Sequence, residues 1–131
     1  MENYNPVKNA YAALWTEYRE LNSEIPLMNV IHRILDFYFL DMCGEDSMNI
    51  REHILVENRD KFIEIKEDGS EDTKYFHIAN SMLQYMSAGV ESDMSFVSDG
   101  AEVDQIKKTF EMIFEHMGQG QHYKMMMERS R

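Results

Sequence analysis

Residues 27–43 read LMNVIHRILDFYFLDMC. Leu27, Val30, Ile31, Ile34, Leu35, Phe37, Tyr38, Phe39 and Leu40 make the segment apolar nearly all round, so it predicts a helix buried on most sides. Set into it are Asn29, His32, Arg33 and Asp36. Residues three or four apart share a helix face, which puts 29/32, 29/33, 32/36 and 33/36 on one side. Unpaired buried charge is costly. A titratable stripe on a core helix is therefore expected to be paired, or to line a cleft or interface. The stripe 29–36 is the leading candidate site.

Working outward, the same periodicity predicts an all-α fold, a compact bundle of about five helices in a single domain, 1–131. Asn5-Pro6 reads as an N-cap with proline at the first helical position. That first helix is expected to run to about Asn22, with Val7, Ala10, Tyr11, Leu14, Tyr18 and Leu21 inward and Trp15 widening the stripe. Ser23 to Pro26 reads as a turn. Helix 27–43 stops at Gly44, a C′ glycine. Asp46 or Ser47 caps a third helix to about Asn58, with Ile50, Ile54 and Leu55 as a thin apolar face. The alternation in Lys61–Lys66 suits a short strand, but no second strand is evident, so it is assigned to a helix end or loop. Lys66–Asp72 is a polar loop around Gly69. The fourth helix, about Asp72 to Ala88, turns Tyr75, Ile78, Ala79, Met82, Tyr85 and Met86 inward and ends at Gly89. After the Ser- and Asp-rich connector Val90–Gly100, the fifth spans about Ala101 to Met117. Its stripe is Val103, Ile106, Phe110, Ile113, Phe114 and Met117, with stops at Gly118 and Gly120. The tail Gln121–Arg131 is expected to fray.

The formal charge is −11, from 24 acidic and 13 basic residues. That argues against direct nucleic-acid binding and fits a solvated surface, a basic protein partner, or an acidic decoy for a nucleic-acid-binding protein. The acids concentrate in 64–72, which reads as a charged loop. The lone cysteine, Cys43, sits in an apolar context, reads as a small core residue, and rules out a disulfide within the chain. No segment reads as a membrane span or a secretion signal, so the cytoplasm is the default compartment.

Neither G-x-x-x-x-G-K-[ST] nor G-x-G-x-x-G is present, nor H-E-x-x-H. The chain alone is expected neither to bind nor to hydrolyse ATP, and no cofactor or metal is expected. His32/Asp36 has helical metal-ligand spacing, but no second half-site is evident. His32, Arg33 and Asp36 supply the residue types for metal-free RNA cleavage: a base, a charge stabiliser and a carboxylate. The simpler reading is a hydrogen-bonded cluster that fixes helix packing. Arg51-Glu52-His53 reads as a surface triplet. In the tail, His122, Tyr123, Met125, Met126 and Met127 are candidates for a partner-binding surface, since methionine adapts to irregular surfaces. The alternative is that they fold back onto the bundle.

Several stretches in order, NPVKNAYAALWTEYRE, NVIHRILDFYF, ANSMLQYMSAG, FEMIFEHMG and HYKMMM, resemble one family. It is the C-terminal helical region of ABC-type ATPases in the AAA-domain group that includes the RloC- and PrrC-like anticodon nucleases. The resemblance covers roughly residues 5–128. It implies a helical module that follows a nucleotide-binding head, with that head or a second copy as partner and a setting in defence against phage. Where relatives read R-R-I-L-E, this chain has His32 and Asp36. Where they often read N-D-G-S-H-S, it has Ser87-Ala88-Gly89-Val90-Glu91-Ser92, with Glu91 at the histidine position. If those positions form a nuclease triad in relatives, the departures favour a regulatory or interaction role here. A small RNase or RNase-like toxin component using His32, Arg33, Asp36 and Glu91 is the alternative.

Overall fold

The second helix begins at Glu24, three residues earlier than its apolar run. A computed structural model describes residues 6–84 and 101–128, with side chains from residue 10 onward. In it, helix α1 spans Pro6–Glu20 and α2 spans Glu24–Leu35. Ser23 is extended and Leu27 N–H donates to its carbonyl at 3.1 Å. Pro26 therefore lies inside the first turn, where a missing N–H costs nothing, because the first four helical donors have no partner within the helix. The expected turn at Ser23–Pro26 is thus the start of the helix itself.

From Asp36 to Met42 the helix continues as a π-helix. Cys43 N–H reaches back five residues to the Tyr38 carbonyl at 2.8 Å. The wider turn puts both Tyr38 and Phe39 in the core. Gly44 then stops the helix with φ of 72°, the left-handed C′ geometry that glycine adopts freely. Cys43 is exposed, contrary to its expected core position, because the π-helical turn ends at the surface.

Asp46 caps α3, Ser47–Glu52, by accepting from Met48 N–H at 2.8 Å. A π-helical turn, His53–Glu57, and a 3-10 turn, Arg59–Phe62, carry the chain on. A small hairpin follows, where the sequence pattern predicts a helix end and a polar loop. Strand β1, Glu64–Ile65, pairs antiparallel with β2, Glu71–Asp72. The partner strand hides in the polar segment: Asp68 accepts from Ser70 N–H and Oγ, Gly69 takes φ of 88°, and Lys66 N–H bonds the Ser70 carbonyl at 2.8 Å. Turn chemistry sets this hairpin, with hardly any strand patterning.

Helix α4 spans Lys74–Gln84 and buries Ile78, Ala79, Met82 and Leu83. Helix α5, Val103–His116, buries Ile106, Phe110, Ile113 and Phe114 as its stripe requires, and Thr109 satisfies its hydroxyl on the Gln105 carbonyl. The expectations for Asn5, Tyr85, Met86, Gly89 and Glu91 lie outside the described residues. Ala10, assigned inward, is exposed.

The tail is a sixth helix, α6, Gly120–Glu128, joined to α5 by a tight turn in which Gly118 takes φ of 77°. Among the described residues the bundle therefore has six α-helices and one two-stranded hairpin. Helix α1 packs on α2; α2 packs on α4 and α5; α5 packs on α6, and α6 returns to α1. Trp15, with no exposed surface, sits at the meeting point. Its ring centroid lies 5.4 Å from Tyr18, 5.5 Å from Tyr123, 5.7 Å from Phe110 and 5.8 Å from Phe114. Such aromatic pairs add about 0.5–1.5 kcal/mol each beyond simple burial.

Tyr123 joins this cluster by its ring and by a 3.1 Å hydroxyl contact with Tyr18. Tyr123→Ala is expected to cost about 3–5 kcal/mol, the range for deleting a buried aromatic ring. Tyr123→Phe, which removes only the hydroxyl bond, is expected to cost about 1 kcal/mol. Urea denaturation of the two variants separates packing from hydrogen bonding.

Candidate functional site

The polar stripe of α2 divides between interior and solvent. Asn29, His32 and Asp36 are half-buried, whereas Arg33 is exposed. A step of one residue turns the helix by roughly 100°, so Arg33 falls on the solvent flank of the stripe. Among the described residues Arg33 makes no ion pair. The helix thus brings His32 and Asp36 together and leaves Arg33 outside, so the expected 33/36 pairing is not formed. Glu91 lies outside the described residues.

His32 packs toward α4. Burial lowers its pKa below the ordinary histidine value, while a hydrogen bond with the Ser81 backbone and the charge of Asp36 pull the other way. Desolvation wins, so the neutral imidazole is the favoured form. Met28, one turn before His32, and Ser81 line a cleft of about 630 Å³ between α4, the hairpin and the start of α5. Lys66, Lys74 and His77 stand in its wall, but so do Glu71 and Asp72. The opposed charges leave no field of one sign to select an anion or a cation.

The tail residues form a second constellation. His122 stacks flat on Tyr38, centroids 4.0 Å apart and rings 11° from parallel. Its Nε2 lies 2.6 Å from the Tyr11 hydroxyl. Tyr38 OH donates to Gln119 Oε1 at 2.6 Å, and the Arg19 guanidinium donates to the Met126 carbonyl. Burial pushes the Tyr38 and Tyr123 hydroxyls up to about 12, and those of Tyr11 and Tyr18 upward as well. All four stay protonated at neutral pH and serve as hydrogen-bonding phenols. Of the tail candidates, Tyr123 and Met126 are buried, His122 and Met127 are half-buried, and only Met125 is exposed. Most of the presumed partner surface is spent inside the fold.

His53, its side chain still 43% exposed, makes a tertiary contact beyond the surface triplet assigned to it. Its Nε2–H donates to the His116 carbonyl at the end of α5, at 2.9 Å, while Nδ1 faces Glu57 Oε1 at 3.0 Å. This ties the α3 segment to α5.

Among the described residues no group of three His, Cys, Asp or Glu side chains could hold a metal ion, and no helix is long and apolar enough to cross a membrane. The residues that sequence reasoning passed over lie on α3 and the π-helical turn after it. Met48 and Val56 are 64% and 67% exposed. The signal was available, since the thin apolar face of Ile50 and Ile54 leaves these two apolar residues on the opposite side. No protein-family model, curated protein or solved structure matches the chain.

His32 makes stability pH-dependent in a definite sense. Its folded pKa lies below the ordinary value of 6.5, so on acidification the unfolded chain takes up the proton first. This contribution is complete above about pH 6.5 and declines as pH falls toward the folded pKa. Urea midpoints measured at pH 8 and pH 5.5 are expected to fall further for the wild type than for His32→Gln. Parallel losses would remove His32 from the account.

Proposed function

We propose that this chain is a non-catalytic helical docking module, of the kind its sequence resembles at the C-terminus of RloC- and PrrC-like ABC-type ATPases. Its partner is a protein surface of opposite charge, the nucleotide-binding head of such an ATPase. The observation that carries the reading is the state of the surface charge. The sequence holds 24 acidic against 13 basic residues, and among the described residues no lysine or arginine forms an ion pair with a carboxylate. Lys107 instead lies over the Tyr18 ring, Arg59 over the Phe76 ring, and Arg19 is committed to a backbone carbonyl. The acidic excess is what the module offers to an external partner, and such complementarity governs encounter rate and selectivity.

The inward direction of the polar stripe supports the same reading. His32 sits against α4 with the half-buried Asp36 near it on the same helix, and Arg33 is exposed, so a substrate phosphate would not meet the three together. A place in phage defence follows from the family resemblance alone.

Size-exclusion chromatography with light scattering tests the module. Mixed with the nucleotide-binding head of an ATPase encoded beside it, the chain is expected to co-elute at low salt and to weaken as ionic strength rises. Separate elution at every salt concentration would contradict the reading, and cleavage of tRNA by the chain alone would favour the RNase alternative.

A further inference from the structure

We infer that the outer face of α3 and its π-helical continuation is the docking surface, and that its occupant is a basic amphipathic helix. The inference rests on the module reading above and names the face it uses. Ile50 and Ile54 are fully buried, so one side of this segment faces the core. On the opposite side Met48, Glu52 and Val56 follow at four-residue intervals, all exposed. Met48 and Val56 keep 64% and 67% of their surface in solvent. Exposed apolar residues scattered singly need no explanation. Two on one helix face, separated by a carboxylate, form a pattern. Eight residues set them at most about 12 Å apart, at the α-helical rise of about 1.5 Å each, close to two turns of a partner helix. Valine is stiff and methionine is adaptable, so the pair offers one fixed and one compliant anchor.

The surroundings choose the occupant. Glu45 and Asp46 precede the face, Glu52 divides it and Glu57 follows it, all exposed; with Asp60 they outnumber Arg51, Arg59 and Lys61 of the same stretch, although Asp46 also caps α3 and Glu57 also faces His53. A second copy would bring the same carboxylates against themselves in a symmetric contact, which like-charge repulsion opposes. An anionic lipid surface and a nucleic acid are repelled on the same ground. What remains is a helix with apolar residues seven or eight apart flanked by lysine or arginine, laid along the face.

The probe is an 18-residue synthetic helix of leucine and lysine in amphipathic order, with fluorescence anisotropy against the full chain as the readout. Wild type is expected to bind. M48E/V56E is expected to weaken binding at least tenfold even though it adds two negative charges, which on electrostatics alone would tighten it. M48Q/V56T, which alters no charge, is expected to weaken binding too and guards against a folding defect in the first variant. M125E, at an exposed methionine on α6, is expected not to weaken it. Absence of binding to wild type, equal or tighter binding by M48E/V56E, or equal loss in M125E would overturn the inference. If the ATPase-head complex forms and M48E/V56E leaves it intact, the module reading stands and this face is wrong.

Discussion

His122 lies flat against Tyr38 at 4.0 Å and bonds the Tyr11 hydroxyl, and through these contacts the last helix is fixed to the first two. Helix α6 has nine residues and buries only Tyr123 and Met126. A helix so short is marginal alone in water, and most helical stability in proteins comes from tertiary packing. Here the packing is aromatic and hydrogen-bonded at once. Tyr123 meets Trp15, Phe110 and Phe114, while Gln119 and the Met126 carbonyl receive bonds from Tyr38 and Arg19. The hydroxyl, imidazole, amide and carbonyl groups here satisfy one another, whereas the buried Trp15 indole N–H has no hydrogen-bond partner among the described residues. Without α6, Trp15, Tyr18 and Phe114 would lose a wall of their cluster.

The π-helical end of α2 makes this arrangement possible. Phe37, Tyr38, Phe39 and Leu40 are four large residues in a row. The widened turn buries Tyr38 and Phe39 side by side, with Tyr38 reaching His122 and Phe39 reaching Phe114 at 5.1 Å. One local departure from α-helical geometry thereby serves two neighbouring helices. The same helix turns His32 toward α4, where burial favours its neutral form.

Much of this was legible in the sequence where periodicity was strong. The stripe of α5 placed Ile106, Phe110, Ile113 and Phe114 correctly, and Gly44 and Gly118 stopped their helices with positive φ. Periodicity failed where a residue had two readings. Pro26 reads as a turn but is tolerated in a first turn; Gly118 and Gly120 read as the end of structure but form a tight link to another helix. The hairpin was invisible because its strands are two residues each and its register depends on Asp68, Gly69 and Ser70. The nearness of His32 and Asp36 followed from their spacing. The exposure of Arg33 did not, because the solvent flank of α2 is set by where α4 and α5 pack. In the tail, a helix of known direction would have separated Met126, inward, from Met125, outward.

Aromatic and hydrogen-bonded groups inside hold the bundle, while acids and a few apolar residues lie outside. If α6 is an integral wall of the bundle, its backbone opens only when the whole domain does. Native-state hydrogen exchange across 121–128 measures this directly. The account predicts protection of the Tyr123–Met126 amides on the scale of global unfolding, matching α5. Exchange of α6 at the rate of a frayed end, while α1 and α5 stay protected, would contradict it.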